Sequence, residues 1–419
     1  MSGAGRRPAA GAVPRGTMSV MPPAPPQRHR PTRRQRRRRA RLRGLAALCV
    51  LVVIAVLTAV AVARLASGTG GGEATAGGSG HGPSGGSPAG GSASPSGTPP
   101  PVRVVSGGDV MSDRGVKAYA QQYGADAVFA GVAPQLRAGD AAWVNLEGPI
   151  STVGSPTAGK DYTFEGSPAM AGALAAAGID VVTVANNHAV DYGPAALMDT
   201  IKNLKAAGIK VVGGGRDFAA AHTAALVKTK AGATIGFLGY DDVIWPGYAA
   251  TATQPGIAQA VTDIEQVKKD IREAAKKADF VVVAFHWGFE YEHYPIAQQT
   301  SEGHAAIDAG ADLVIGHHPH VLQGFEAYHG KLIAYSLGDF VFDHFSVETG
   351  QTVLVDAVLT SGGVRATLIP VYVSSSGIPA VQHGASAKTI LALVKEYSAP
   401  LGAHVAIKGD TATVKAGKP

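Results

Sequence analysis

From about Val102 onward, short runs rich in Val and Ile alternate with Ala-rich segments of helical length. This alternation is typical of an α/β domain, in which helices cover the faces of apolar strands. We therefore expect one large α/β core over residues 102–375. Residues 376–419 form a C-terminal extension, for which a weakly structured tail and an appended helix are the two alternatives.

Polar residues gather at the points where the predicted strands end. In an open α/β sheet the strand ends are where ligands bind, so we expect these side chains to share one rim. The residues concerned are Asp109, Asn145, Glu147, Asn186, Asn187, His188, His286, Glu290, His317, His318, His320 and Asp339.

Each of these residues has a structural explanation when it is taken singly. Asp109 suits a turn or a helix cap, Glu147 a solvated loop charge, and His286 a hydrogen-bonded structural histidine. Three imidazoles within the segment HHPH are harder to explain by packing, because each buried ring needs a polar partner. Imidazole, carboxylate and amide groups together suit Mn²⁺, Fe²⁺ or Zn²⁺. The sequence therefore predicts a divalent metal site, and since Cys49 is the only cysteine, a structural thiolate site is excluded from the core.

Six motifs make a family resemblance specific: GDVM, NLEG, NNHAVDYG, HWGFEYEHYP, GHHPHVLQGFE and YSLGDFVFD, in this order. The chain resembles the CapA family of poly-γ-glutamate capsule synthesis proteins over residues 102–375. The resemblance implies a calcineurin-like metallophosphoesterase fold, which is a β-sandwich flanked by helices. It also implies a metal site at the strand ends that holds one or two divalent ions, Mn, Fe or Zn.

The resemblance also implies roles for individual residues. His188 would be the catalytic proton donor to a leaving group, and Asp191 would orient its ring. His317 is an alternative to one of the later histidines. The metal ligands that the resemblance implies are Asp109, Glu147, Asn187, His286, His318 and His320.

Two positions depart from the phosphoesterase pattern. Met111 stands where the pattern has a histidine, and NLEG replaces a Gly-Asp pair after the second strand, which weakens one metal position. Asp339 stands where CapA relatives often carry Asn. A compensating ligand and a strand-end cap are both open interpretations of this carboxylate.

The N-terminal part of the chain has a different character. Residues 1–43 are rich in Pro and Arg and indicate a disordered basic cytoplasmic tail. Residues 44–66 contain a twenty-residue apolar run, long enough at roughly 1.5 Å per residue to cross a bilayer. Eight arginines lie just before this run, between residues 33 and 43, and only Arg64 follows it closely, so the predicted transmembrane helix has its N-terminus in the cytoplasm. A cleaved signal peptide is the alternative.

Residues 67–101 form a Gly/Ser/Pro linker that would hold the domain on the extracytoplasmic side of the cell membrane. The basic charge of the chain is concentrated before this linker, since 14 of the 37 Lys and Arg residues lie in residues 1–66. The remainder has 23 basic and 31 acidic residues, a net charge near −8. We therefore expect no nucleic-acid partner.

Three functions are consistent with these features. The first is a cell-surface factor for the synthesis, export or anchoring of poly-γ-glutamate or a related anionic wall polymer, with membrane-bound synthase or export proteins as partners. The second is a metal-dependent phosphoesterase or amide hydrolase at the cell envelope. The third is a polymer-binding protein without turnover.

Overall fold

The computed structural model describes residues 98–243, 245–261, 263–344 and 346–417. The predicted tail at 1–43, the predicted transmembrane helix at 44–66 and nearly all of the predicted linker lie outside the described residues. Within the described ranges, no helix is long and apolar enough to cross a membrane. The described residues belong to one compact unit.

The described residues of this unit contain eighteen β-strands. They are β1 (Val102–Val110), β2 (Ala141–Leu146), β3 (Val181–Thr183), β4 (Lys210–Val212), β5 (Gly214–Gly215), β6 (Ala225–Lys228), β7 (Thr234–Asp241), β8 (Gly256–Ile257), β9 (Phe280–His286), β10 (Leu313–His317), β11 (Phe325–Tyr328), β12 (Lys331–Ala334), β13 (Asp339–Val341), β14 (Gln351–Thr360), β15 (Gly363–Val373), β16 (Pro379–Val381), β17 (Val405–Lys408) and β18 (Thr411–Gly417).

Helices connect many of the strands. They are α1 (Arg114–Tyr123), α2 (Ala133–Leu136), α3 (Met170–Ala177), α4 (Pro194–Ala206), α5 (Phe218–Ala221), α6 (Ile264–Ala275), α7 (Ala297–Ala309) and α8 (Gly384–Ser398), with 3₁₀ turns at Ala125–Phe129 and Ala399–Leu401.

The strands form two large sheets. A ten-stranded sheet has the order β17-β18-β15-β14-β1-β2-β3-β4, with β13 paired to β1 and β16 paired to β15. A six-stranded sheet has the order β11-β12-β10-β9-β7-β6. The pairs β1–β2, β2–β3 and β3–β4 are parallel, as are β7–β9, β9–β10 and β10–β12. Each sheet therefore contains a parallel half, and the carboxyl ends of its strands lie at one edge.

The two sheets share a hydrophobic core. Val104 and Trp143 of the first sheet and Phe237 and Val282 of the second are fully buried in the same cluster. The rings of Trp143 and Phe237 lie 5.5 Å apart, centroid to centroid. Burial of one such large side chain contributes about 1.5–3 kcal/mol to stability.

Helices cover the outer faces of both sheets. On the first sheet, Val144 of β2 packs in a cluster with Leu174 of α3 and Leu197 of α4. On the second, Val283 of β9 packs in a cluster with Val267 of α6. Because both faces of the parallel strands are buried, their sequences are almost continuously apolar. The predicted mixed α/β fold is confirmed.

Aspartates fix the amino ends of neighbouring strands. Asp180, just before β3, accepts a hydrogen bond from Ala142 N of β2 at 2.9 Å, and Asp312, just before β10, accepts one from Val281 N of β9 at 2.8 Å. Asp140 and Asp279 make the same kind of contact before β2 and β9. These carboxylates accept hydrogen bonds from backbone N–H groups at the amino ends of the strands. The polar residues predicted to form the rim lie instead at the carboxyl ends.

The C-terminal extension is more ordered than the weakly structured tail that was one of our two alternatives. Helix α8 is present, as the appended-helix alternative expects, and Ile390, Leu391 and Val394 on it are buried in the shared core. Strand β18 extends the first sheet by pairing with β15. The alternative of a weakly structured tail was wrong. Strand β18 was not predicted because its sequence alternates small Ala and Val with Thr and Lys, a pattern too weak to indicate a buried strand.

Gly108 lies where β1 approaches the turn before β13, one residue before Asp109. A Cβ atom added to Gly108 would lie 1.9 Å from the carbonyl oxygen of Gly338. We predict that Gly108→Ala lowers the free energy of unfolding by about 3 kcal/mol, because the clash is with backbone. Denaturant unfolding measures the change.

Gly172→Ala is the matched control, since a Cβ at this exposed position in α3 meets no atom within 4 Å. It should raise the free energy of unfolding by about 0.5–1 kcal/mol. Equal stability of the two variants would contradict the proposed contact between β1 and the turn before β13.

Candidate metal centre

The strand ends that carry the predicted ligands converge. Asp109 of β1 is in register with Asn145 of β2 and with Asp339 of β13. His317 of β10 is in register with His286 of β9. The two sheets meet here, because His317 Nδ1 lies 3.0 Å from Asp109 Oδ1. The convergence that the sequence analysis expects is therefore present.

Asp109 lies at the centre of this region and is fully buried. Its carboxylate accepts hydrogen bonds from Asn145 Nδ2 at 2.8 Å and from the backbone N–H of His318 at 3.0 Å. Burial alone would raise the pKa of Asp109, but His317, His320 and Asn145 together hold it below its ordinary value. Asp109 is therefore ionised and oriented as a ligand.

Glu147, which follows β2, is a buried polar group of the region whose side chain has no hydrogen-bond partner in the described part of the chain. Its side chain is buried, and neither carboxylate oxygen has a hydrogen-bond partner among the described residues. The nearest imidazole nitrogens are His320 Nε2 at 3.8 Å and His188 Nε2 at 3.9 Å. Burial raises the pKa of Glu147 well above its ordinary value. A buried carboxylate without partners is costly, and a cation among these atoms would relieve that cost.

His286 and His318 have the protonation state of metal ligands. Burial, together with the neighbouring imidazoles, lowers the pKa of His286 well below its ordinary value. Burial also lowers the pKa of His318 to about 3. His318 Nδ1 is buried and has no hydrogen-bond partner within the described ranges. Both rings are neutral at pH 7, the form in which imidazole binds a metal.

Amide side chains hold His286 in place. Its Nδ1 lies 3.2 Å from Asn145 Nδ2, and its Nε2 lies 3.0 Å from Asn187 Oδ1. Asn186 Nδ2 donates to Asn145 Oδ1 at 2.9 Å. Asn187 is thus next to a predicted ligand, whereas Asn186 supports Asn145 from behind. The adjacent asparagines of the NNH motif therefore have different environments.

His320 and Asp339 form a buried pair. His320 Nδ1 lies 2.8 Å from Asp339 Oδ1. Although burial alone would lower it, Asp339 and Glu147 raise the pKa of His320 to about 10. Burial raises the pKa of Asp339 to about 6, against the effect of His320. His320 carries a proton in this pair, and a cation bound here would replace that proton.

Two groups of three residues place ligand atoms within 4.8 Å of one another. One group contains Asp109, His320 and Asp339, and the other contains Asp109, Glu147 and His286. Asp109 belongs to both groups, so it would contribute a ligand atom to a cation held by either group. The donor set of carboxylates and neutral imidazoles fits a divalent cation of the Mn²⁺, Fe²⁺ or Zn²⁺ type. Asp339, which the sequence left open, lies with the ligands.

His188 and Asp191 form a separate pair beside this centre. His188 Nδ1 lies 2.7 Å from Asp191 Oδ2, and the ring stacks on Phe164 with a centroid separation of 4.2 Å. Burial lowers the pKa of His188 to about 4, so the ring is neutral at pH 7. A hydrogen bond from Nδ1–H to Asp191 would leave Nε2, which lies 3.9 Å from Glu147 Oε1, as the nitrogen available for proton transfer.

Lys160 is a residue of the site that the sequence analysis missed. Its ammonium group pairs with Asp191 and donates to the backbone carbonyl of Asn187. It also lies 5.3 Å from the ring of Trp245 and 5.1 Å from the ring of Tyr248. In the sequence Lys160 is the single basic residue of a Gly- and Thr-rich segment and is followed by Asp161, a pattern that indicates solvent exposure. Only the fold brings it to the NNH motif.

Met111 occupies the position at which the phosphoesterase pattern has a histidine. It is fully buried in a small cluster with Phe164 and Phe342. Its position is apolar, so the ligand that the phosphoesterase pattern supplies there is missing. Asp339 is the carboxylate that lies with Asp109 and His320.

Two cavities open beside the centre. One, of about 320 Å³, is lined in part by His188, His320 and Asp339. The other, of about 580 Å³, is lined in part by Asn187 and His318. Glu290 lines both cavities. A substrate thus has access to the predicted ligands and to His188.

Comparison with known protein families matches residues 103–344 to the family described as bacterial capsule synthesis protein PGA_cap. The chain belongs to this family. The PGA_cap family lies within the metallophosphoesterase-like superfamily, as the resemblance in the sequence indicates. The matched range contains all predicted ligands together with His188, Asp191 and Asp339.

Three relatives of this PGA_cap chain have informative names. "PGA biosynthesis protein CapA" of Bacillus subtilis is 36% identical over 68% of this chain and 75% of the relative. "Capsule biosynthesis protein CapA" of Bacillus anthracis is 37% identical over 61% of this chain and 63% of the relative. A "probable polyglutamine synthesis accessory protein" of Mycobacterium tuberculosis is 32% identical over 49% of this chain and 56% of the relative.

The buried ion pair of Lys160 and Asp191 has a measurable effect on stability. We predict that Lys160→Met lowers the free energy of unfolding by about 3–5 kcal/mol, because it leaves the fully buried Asp191 carboxylate without its cation. The double variant Lys160→Met/Asp191→Asn should recover part of this loss, since it leaves no unpaired buried charge at residue 191. Chemical denaturation of the three proteins gives the comparison.

Lys202→Met is the control, because Lys202 is 80% exposed and lies 3.9 Å from its acidic neighbour Asp199. It should change the free energy of unfolding by less than about 0.5 kcal/mol. Equal effects at Lys160 and Lys202 would show that Lys160 is not buried at the NNH motif.

Proposed function

We propose that the protein acts at the cell envelope in the synthesis, export or anchoring of poly-γ-glutamate or a related anionic polymer, through a divalent metal site. The observation that carries the proposal is the buried, unpartnered carboxylate of Glu147 beside Asp109 and His286. Membership of the PGA_cap family and the names of the Bacillus relatives support the polymer.

The residues proposed to hold the metal are those that the sequence predicts: Asp109, Glu147, Asn187, His286, His318 and His320, with Asp339 as an addition from the structure. A bound divalent ion would acidify a water molecule and polarise a phosphoryl or acyl oxygen. His188 would move a proton through Nε2 while Asp191 holds its Nδ1 proton. Lys160 pairs with Asp191 and donates to the backbone carbonyl oxygen of Asn187 in the NNH motif.

The proposed cellular arrangement follows from the N-terminal sequence. The basic tail at 1–43 would lie in the cytoplasm, residues 44–66 would span the membrane, and the linker at 67–101 would hold the catalytic-type domain at 102–375, with its extension at 376–419, outside the cell. A tethered domain would meet a polymer as it leaves membrane-bound synthase or export proteins.

A metal-dependent phosphoesterase or amide hydrolase is the second candidate. The observation in its favour is the pair of His188 and Asp191, which lies within 3.9 Å of Glu147 through His188 Nε2. A polymer-binding protein without turnover would not need a proton-transfer group at this position. The variant that tests the hydrolase, His188→Ala, also tests the polymer-binding protein without turnover.

Metal uptake tests the proposed site. After chelation, saturating Mn²⁺ should stabilise the protein by about 2.7 kcal/mol at 100 times its dissociation constant, measured as a rise in melting temperature. Glu147→Ala should weaken this effect strongly. The control Glu265→Ala removes a 71% exposed carboxylate on α6 and should leave it unchanged. Equal metal binding by both variants would contradict the proposed ligand set.

The affinity for Mn²⁺ should depend on pH. His320, with its pKa raised to about 10, and Glu147, with its pKa raised by burial, hold protons that the cation must displace. The dissociation constant should therefore decrease as the pH rises from about 6 to 8. Calorimetry in buffers of different ionisation enthalpy measures the released protons, and an affinity independent of pH would contradict this competition.

His188→Ala separates the hydrolase from the polymer-binding protein without turnover. If the protein is a hydrolase, turnover of a phosphodiester or a γ-glutamyl peptide should fall by about 10²–10⁴-fold, with metal content and polymer affinity retained. The control is His329→Ala, at an exposed turn between β11 and β12. Polymer affinity that survives His188→Ala, together with no turnover by the wild type, favours the binding function instead.

A further inference from the structure

Strained backbone is concentrated around the proposed metal centre. Among the described residues, the non-glycine residues with positive φ are Arg114, Tyr291, His318, His320 and His329, with φ of 48°, 64°, 92°, 57° and 48°. His329 occupies the turn between β11 and β12, and the other four surround the centre. Such conformations are costly and collect at functional sites. His318 and His320 are proposed ligands, so Arg114 and Tyr291 remain without a role.

Arg114 and Tyr291 line the same cavity. Both contribute to the wall of the 320 Å³ cavity, together with His188, His320 and Asp339. Tyr291 is 52% exposed, and its backbone N–H donates to Pro319 O at 2.8 Å within the HHPH segment. Its ring lies 6.3 Å from the ring of His320. The strain at both positions therefore presents side chains to one space beside the metal centre.

The guanidinium group of Arg114 has an ordered setting. Its Cζ atom lies 5.0 Å from the centroid of Phe164 and 5.5 Å from that of Phe342, and the group pairs with Asp343. Phe164 in turn stacks on His188. Aromatic faces restrict a guanidinium group and exclude water from it, which strengthens its interaction with an anion. Arg114 is thus held at a fixed place relative to His188.

The charge around the two cavities makes Arg114 distinctive. Of the described residues that line them, Arg114 is the only Arg or Lys. The 580 Å³ cavity presents the carboxyl groups of Asp242 and Glu290. The 320 Å³ cavity also presents carboxyl groups, those of Glu290, Asp339 and Asp343, of which Asp343 pairs with Arg114 and Asp339 with His320. An anionic substrate would meet an arginine in the 320 Å³ cavity alone, where its anionic group would compete with Asp343. Recognition of a polyanion by a domain with a net charge near −8 would then depend on Arg114 and the metal centre rather than on bulk attraction.

We propose that Arg114 and Tyr291 form an anion-recognition subsite in the 320 Å³ cavity, which holds a carboxylate or phosphate group of the substrate beside the metal centre. The proposal rests on the proposed function and specifies the substrate class of the same site. Arg114 supplies the charge and a planar pair of donors that match either anion. Tyr291 covers the bound group from the exposed side. Together they set the position of the neighbouring bond relative to His188.

The test uses the full chain loaded with Mn²⁺ and two probes, tri-γ-glutamate and inorganic phosphate, with calorimetric titration. Arg114→Met should weaken binding of the preferred probe by about 10- to 100-fold, the loss of one charge-assisted contact, with metal content unchanged. Arg114→Lys should recover part of the affinity, because it restores the charge without the planar geometry. The control Lys117→Met, one turn further along α1, should bind like the wild type.

Tyr291→Gly provides a second variant that does not depend on Arg114. Glycine adopts a positive φ without strain, so this variant should melt at a higher temperature while it binds the probe several-fold more weakly. A purely structural role for Tyr291 predicts unchanged affinity. Higher stability combined with lower affinity supports the subsite.

The outcomes decide whether the subsite holds a carboxylate or a phosphate group. They also distinguish failure of the subsite from failure of the proposed function. Weaker binding of tri-γ-glutamate alone by Arg114→Met identifies a carboxylate subsite, and weaker binding of phosphate alone identifies a phosphate subsite. Equal binding by wild type and Arg114→Met, or no binding of either probe, overturns the subsite. Failure of the wild type to take up Mn²⁺ overturns the proposed function instead, and the same titrations on the metal-free protein then decide the subsite.

Discussion

The burial of several carboxylates at one place is the constraint on which the site depends. Asp109, Glu147 and Asp339 are all buried where the two sheets meet, and they would repel one another if all three were ionised. Asp109 is stabilised by Asn145 and His318, and Asp339 by His320. Glu147 has no such partner among the described residues. A divalent cation is the simplest group that satisfies this arrangement.

The fold creates this constraint by assigning different chemistry to the two ends of its parallel strands. Asp180 and Asp312 before the strands bind backbone N–H groups of neighbouring strands, so the amino ends are internally satisfied. The carboxyl ends carry carboxylates, amides and imidazoles that have fewer backbone partners. The shared apolar core, with Trp143 against Phe237, holds the two sheets at the separation that brings Asp109 to His317.

The sequence predicted the mixed α/β fold and the rim because both depend on local pattern. Val- and Ile-rich runs define the strands, and the polar residue after each run lies at the same edge of the sheet. Lys160 could not be predicted, because it reaches Asp191 from a loop without periodicity. Strand β18 was missed for a similar reason, since its buried positions are mostly alanines that become buried only through pairing with β15. The transmembrane helix and the individual ligand roles stay predictions.

The central claim is that Asp109, Glu147 and His286 hold a divalent cation between the two sheets. Anomalous diffraction from crystals of the Mn²⁺-loaded protein tests it most directly, because the signal locates the ion without reference to any substrate. The account predicts a strong peak in contact with Asp109 and Glu147, with a second peak near His320 and Asp339 if two ions bind. Saturating Mn²⁺ that gives no peak there, or peaks only on the protein surface, would contradict it.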